Sequence, residues 1–258
     1  MSDVSHPDRR PSSRPSVVGL FATCIADLAA PGPAQATVEV LEAMGMTVEL
    51  PAGQTCCGQP ALNSGYPDGA RRLARHWVET FEPYEAVVSP SGSCVAHVHH
   101  QLPRILEGPW RSRAQNLAGR TWELSQLVAA FGAGLPLRLE ATVTLHDSCH
   151  MTRSLGERRS AREVLSRIAG LRLVEMDDPD TCCGFGGTFA AKFPDVSVAM
   201  GDAKLAQAAG TGAAWLVSAD PGCLAHLQAR ADFRGLDQRA RHLAEVVRDA
   251  LVEGRASR

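Results

Sequence analysis

Cys56-Cys57-Gly58 and Cys182-Cys183-Gly184 are one tripeptide used twice, and reading them as the same turn in two copies of one unit decides the fold. A lone cysteine precedes each pair and another follows it. Cys24, Cys56, Cys57 and Cys94 form one quartet with intervening stretches of 31 and 36 residues; Cys149, Cys182, Cys183 and Cys223 form a second with 32 and 39. All eight cysteines of the chain are used in this way.

Working outward from the pairs, the correspondence extends well past the cysteines. Ser16 to Cys24 matches Ala141 to Cys149, each an apolar run ending on a cysteine and read as a short strand. Helical spacing follows over Ala34–Met44 and Ser160–Ala169, each stopped by a glycine, Gly45 or Gly170. Second strands are expected over Thr47–Leu50 and Leu171–Val174, amphipathic helices over Arg71–Phe81 and Val196–Ala209, and third strands over Ala86–Ser89 and Trp215–Ser218. Both third strands run into a turn bearing the last cysteine, where a helix is expected to start. Beyond it, Trp122 to Phe131 shares apolar spacing with His242 to Leu251. Each half is thus a βαβαβα unit, and the chain is expected to be an α/β protein of two tandem repeats, each a small parallel sheet flanked by helices. Gly132, Gly134 and Pro136 break the pattern, so the expected domains are 16–138 and 139–258, after a polar tail over 1–15 too poor in apolar side chains to order itself.

With 258 residues, either half can bury a core without covalent staples. A formal net charge of −2 gives no overall attraction to nucleic acid or anionic lipid. Basic charge is almost all arginine, Lys192 and Lys204 being the only lysines, a bias read as compositional. No apolar run is long enough to insert in a membrane and the first residues lack a secretory apolar core, so the expected location is the cytoplasm. Reducing compartments disfavour structural disulfides, which turns eight cysteines toward metal or redox chemistry.

In a parallel α/β sheet every strand delivers its carboxyl end to the same rim, where ligands bind. All four cysteines of each half follow an expected strand, so they converge at that rim, where helix N-termini favour thiolates. Adjacent cysteines on a strand point to opposite faces, so each pair must sit in a turn; Gly58 and Gly184 supply the backbone freedom. The loop Gly184-Phe185-Gly186-Gly187 lacks the spacing and lysine of a phosphate loop. Four thiolates suit zinc or an iron–sulfur cluster, and long spacings without a tight Cys-x2-4-Cys knuckle point to a multi-iron core. His146 and His150 flank Cys149 within reach of a metal-bound sulfur, whereas His97 and His226 lie three residues past the last cysteine of their quartets. Arg153, Arg158 and Arg159 are basic candidates for an anionic partner, weighed against ordinary solvated arginines.

The quartets resemble the cysteine-rich CCG domain of heterodisulfide reductase B subunits and of the iron–sulfur subunit of glycolate oxidase. The two-domain form is most similar to the lactate-utilisation protein A family, on Cys56 to Tyr66, Ser89 to Cys94, His146 to Cys149 and Asp180 to Phe189. The resemblance implies a cytoplasmic iron–sulfur electron-transfer protein, with one [4Fe–4S] cluster per domain on Cys24, Cys56, Cys57, Cys94 and on Cys149, Cys182, Cys183, Cys223. Its implied partners are other iron–sulfur and oxidoreductase subunits of a complex oxidising L-lactate to pyruvate. The heterodisulfide-reductase motif carries a fifth cysteine where this chain has Ser91 and Asp220. A thiol–disulfide reductase and a zinc-stabilised scaffold, with zinc in one site, are the alternatives.

Overall fold

The computed structural model describes residues 10–257. The first half runs β1 (Val17–Leu20), α1 (Cys24–Leu28), α2 (Gly32–Ala43), β2 (Thr47–Glu49), α3 (Gln59–Asn63), α4 (Pro67–Phe81), β3 (Ala86–Ser89), α5 (Gly92–His100), α6 (Leu102–Ile105), α7 (Pro109–Ala118), β4 (Thr121–Glu123) and α8 (Leu124–Phe131). The second runs β5 (Arg138–Leu145), a π-helical turn (His150–Leu155), α9 (Arg159–Ser166), β6 (Ala169–Leu173), α10 (Thr188–Lys192), α11 (Pro194–Gly210), β7 (Trp215–Ser218), α12 (Pro221–Phe233), β8 (Arg239–His242) and α13 (Leu243–Ala256).

Each half builds one four-stranded sheet, in the orders β2-β1-β3-β4 and β6-β5-β7-β8, with every pairing parallel. The expected tandem α/β architecture is therefore present, with one strand more per half than the three expected. Those fourth strands hide inside what reads as the start of the last helix: Thr121-Trp122-Glu123 and Arg239-Ala240-Arg241-His242 are short and partly polar, as edge strands often are. Both end on a capping box. Glu123 accepts the Ser125 N–H at 2.8 Å while Gln126 Oε1 accepts that of Glu123; His242 Nδ1 accepts the Ala244 N–H at 3.1 Å while Glu245 accepts that of His242. A second difference concerns Gly170, which sits inside β6 with φ +87° and does not end the preceding helix; that helix stops at Ser166.

The two halves share one core. A single apolar cluster runs from Val18, Val40 and Val88 through Leu124 and Leu127 to Val143, Leu165, Val217 and Val247, with α2 packed on α13; a smaller cluster lies under each quartet. Of the stretch expected to form a tail, residues 1–9 lie outside the described residues. Residues 10–15 lie on the fold, Arg10 pairing with Glu163 at 2.5 Å and Arg14 donating to the Met44 carbonyl at 2.8 Å.

Candidate metal centre

Strand order reverses at β1 and at β5, and the loops leaving β1, β2 and β3, like those leaving β5, β6 and β7, deliver a quartet to one rim, as a switch point in a parallel sheet should. Cys24 and Cys149 follow the central strands, and Cys94 and Cys223 lie in the first turns of α5 and α12. The paired cysteines leave their turns through Gly58 at φ +92° and Gly184 at φ +88°. A side chain at either would also press on α4 or α11: a Cβ at Gly58 would stand 3.3 Å from the Ala70 carbonyl, and one at Gly184 2.5 Å from that of Ser197. Glycine is needed here both for the left-handed backbone and for the close approach.

The two rims face each other. All eight cysteines line one cavity of about 260 Å³ between the halves, many times the roughly 10–15 Å³ a single water needs. Hydrogen bonds join the two halves. Gly92 donates to the Ala219 carbonyl at 3.1 Å, His242 Nε2 to the Pro90 carbonyl at 3.0 Å, and Gln59 Nε2 to His150 Nε2 at 3.1 Å. His150 Nδ1 in turn faces Cys149 Sγ at 3.6 Å.

Ser91 and Asp220, at the positions of the absent fifth cysteines, are the N-caps of α5 and α12. Ser91 Oγ accepts the Cys94 N–H at 3.4 Å; Asp220 Oδ1 accepts that of Gly222 at 3.2 Å. Asp220 reaches further, its Oδ2 taking the Ser93 N–H of the other half at 2.9 Å. One carboxylate therefore ties together the two helix turns that carry Cys94 and Cys223.

No two of the eight cysteines are joined as a disulfide. Cys24 Sγ lies 3.6 Å from Cys56 Sγ and Cys57 Sγ 3.9 Å from Cys94 Sγ, far from the roughly 2.05 Å of a disulfide. The same ionisation pattern occurs twice. Hydrogen bonds from Cys24, then Cys57, hold the Cys56 thiol far below its ordinary range; those from Cys149, then Cys183, do the same to Cys182, which also accepts the Gly184 N–H at 3.4 Å. Their donors Cys24 and Cys149 are pushed up correspondingly. Converging thiols with one poised to ionise in each set, beside two helix N-termini, form a donor set that fits a thiolate-bound metal group.

Two buried histidines complete the surroundings, one per half and from different positions. Burial lowers His97 to about 4, and its Nε2 has no protein partner. His146, likewise lowered by burial to about 4, donates from Nδ1 to the Pro179 carbonyl at 3.3 Å and leaves Nε2 unpartnered. One His146 nitrogen and the sulfurs of Cys183 and Cys223 lie within 4.8 Å of one another. His226 turns away to the Ser197 carbonyl at 3.4 Å. Of the arginines, Arg153 donates to the Asp180 carbonyl and Arg158 faces Asp147 and Asp180. Sequence reading overlooked Gln59 and Lys204, the second of which lies fully buried behind the second quartet.

A tandem α/β protein with two thiol quartets on facing rims is the class this geometry defines. The model of the cysteine-rich CCG domain matches residues 18–99 and again 143–228, one match per half. Lactate utilization protein A of Halalkalibacterium halodurans is 45% identical over 233 residues, 89% of this chain and 96% of that protein; the protein of the same name from Bacillus cytotoxicus is 42% identical over 234 residues, 89% and 98%. The chain belongs to the lactate utilization protein A family of CCG-domain proteins. A hypothetical protein from Helicobacter pylori shares the fold with a TM-score of 0.66 at 11% identity, over 95% of this chain and 51% of that one. Among the described residues no helix is long and apolar enough to cross a membrane.

Proposed function

We propose that the chain is an iron–sulfur electron-transfer protein that works in the cytoplasm with partner oxidoreductase subunits in the oxidation of L-lactate to pyruvate. The observation that carries this reading is the cavity lined by two complete quartets of free thiols, in a chain whose relatives are named for lactate utilization. Cys24, Cys56, Cys57 and Cys94 would hold one [4Fe–4S] cluster and Cys149, Cys182, Cys183 and Cys223 another. Such clusters supply reversible one-electron storage when bound. The chain's own part is to bind and tune. The turns at Gly58 and Gly184 aim adjacent thiolates at one group, the N-termini of α5 and α12 offset negative charge, and Ile25 and Phe185 line the cavity beside the sulfurs.

A second reading has one observation in its favour. The grouping of His146 with Cys183 and Cys223 suits a zinc ion in the second half, leaving iron to the first. Anaerobic purification followed by assay of iron, acid-labile sulfide and zinc tests both. Iron and sulfide together support electron transfer, zinc beside iron supports the mixed assignment, and near-absence of iron and sulfide overturns the proposal. The lactate assignment is tested by deleting the chain from its host: growth on L-lactate should fail while growth on pyruvate persists, and undiminished growth on L-lactate would overturn it.

A further inference from the structure

The halves share strand order and the turns that carry the thiols, yet the ground behind their quartets differs. Phe21 and His146 occupy equivalent places, each donating its N–H at 2.8 Å to the neighbouring third strand, at Val88 and Val217. Helices α4 and α11 begin on equivalent prolines and press equivalent residues, Ala70 and Leu73 against Ser197 and Met200, on Gly58 and Gly184. By that register Trp77 corresponds to Lys204. Behind the first quartet Phe21, Trp77 and Phe81 pack as an aromatic wall with centroids 4.9 to 5.7 Å apart. Behind the second stand His146 and Lys204.

Lys204 Nζ has three acceptors, the Asp178 carbonyl at 2.5 Å, Gln207 Oε1 at 3.1 Å and Met176 Sδ at 3.6 Å. Three acceptors match the three N–H donors of an ammonium. Met176 packs in the same cluster as Cys183 and Cys223, and the field of the lysine reaches Cys183 and His146. Neighbouring carboxylates are answered elsewhere: Arg162 grips Asp147 with two bonds of 2.9 Å, Arg158 faces Asp147 and Asp180, and Asp178 is exposed and screened by water. Asp220 bonds one N–H in each half, but its carboxylate raises the thiols of Cys149 and Cys223 and none of the first quartet, a charge of opposite sign that Lys204 must outweigh. Burial lowers the lysine's pKa, which Asp178, Asp180 and then Cys183 oppose, and a buried cation is screened far less than a surface one.

We infer that Lys204 is a buried ammonium that makes the second quartet the preferred seat of added negative charge, so that the first electron given to the loaded chain resides in the second half. This rests on the iron–sulfur reading. The step is a one-electron reduction, with dithionite as the reductant in the test; no bond forms or breaks and no proton need move.

Redox titration of Cys57→Ser, which keeps the second centre, and Cys183→Ser, which keeps the first, gives the order of midpoints. The second centre should be reduced at the higher potential. Lys204→Met should lower that midpoint and leave the first unchanged, whereas Lys204→Arg, which retains the charge, should preserve the order. Coincident or inverted midpoints, or a Lys204→Met shift that is absent or equal in both halves, would overturn the inference. If Lys204→Met fails to fold, the order in the two cysteine variants decides it. A chain without iron and sulfide defeats the functional reading instead, and Cd²⁺ titration of that chain under reducing conditions then tests the lysine directly. A cadmium tetrathiolate is a net dianion, so Lys204→Met should weaken Cd²⁺ binding about tenfold in the second quartet alone. Unchanged affinity there would count against the inference.

Discussion

The first quartet stands against Phe21, Trp77 and Phe81, and the second against His146 and Lys204. The backbones agree in strand order and in the turns that carry the paired cysteines, although α6 and α7 have no counterpart in the second half, so behind the thiols the difference lies mainly in side chains. A repeat fixes where thiols converge; residues one layer behind the thiols decide what charge the site tolerates. Two quartets built by the same turn therefore face different surroundings.

The largest expected effect comes from the turns themselves. Alanine at Gly58 or Gly184 incurs about 1–2 kcal/mol for left-handed backbone. At Gly184 the new Cβ also meets the Ser197 carbonyl at 2.5 Å and Met200 Cβ at 2.9 Å, against 3.3 and 3.4 Å for the nearest atoms at Gly58. Overpacking adds about 1–3 kcal/mol. Gly184→Ala should thus lower stability in urea clearly more than Gly58→Ala; equal losses would mean that the second turn relaxes freely.

The equivalent caps Glu123 and His242 should give stability opposite slopes with pH. Burial raises Glu123 to about 8, so the folded chain binds its proton more tightly than the unfolded chain does, and stability falls as pH rises from about 4.5 to 8. Burial lowers His242 to about 4, so there the unfolded chain is the better proton acceptor and stability rises with pH from about 4 to 6.5. Glu123→Gln should remove a fall of a few kcal/mol above pH 4.5. An unchanged profile from urea melts across pH would show that Glu123 is ionised within the fold at no cost.

Smaller effects are expected at the caps of α5 and α12. Ser91→Ala loses one side-chain acceptor, worth about 1 kcal/mol. Asp220→Ala loses two, one of them across the halves, and should cost about 1–2 kcal/mol more. If the two changes cost the same, the bond from Ser93 does not help hold the halves together.

Much of this was legible in the sequence, for identifiable reasons. Short continuous apolar runs such as Ala86-Val87-Val88-Ser89 and the doubled Cys-Cys-Gly are local signals, and parallel strands need no fine detail to bring their ends to one rim. The fourth strands were not legible, because three or four residues with charged side chains among them, Glu123 in one and Arg239 and Arg241 in the other, merge into the capped helix that follows. Nor was the meeting of the rims, since no periodicity inside either half encodes which face it turns to the other. Gly92, where a Cβ would stand 2.2 Å from Met151 Cγ, looks like an ordinary turn glycine until the second half is in place. Lys204 was hidden for a related reason: lysine in an alanine-rich helix reads as a solvated face, and only packing shows it to be buried.

Whether the quartets bind two separate centres across a common cavity is tested most directly by iron per chain in Cys57→Ser and Cys183→Ser, purified anaerobically beside the unaltered protein. Each variant should retain about half the iron, with the spectrum of its intact half preserved. Loss of all iron from either single change would contradict the account and make the eight thiols one shared site.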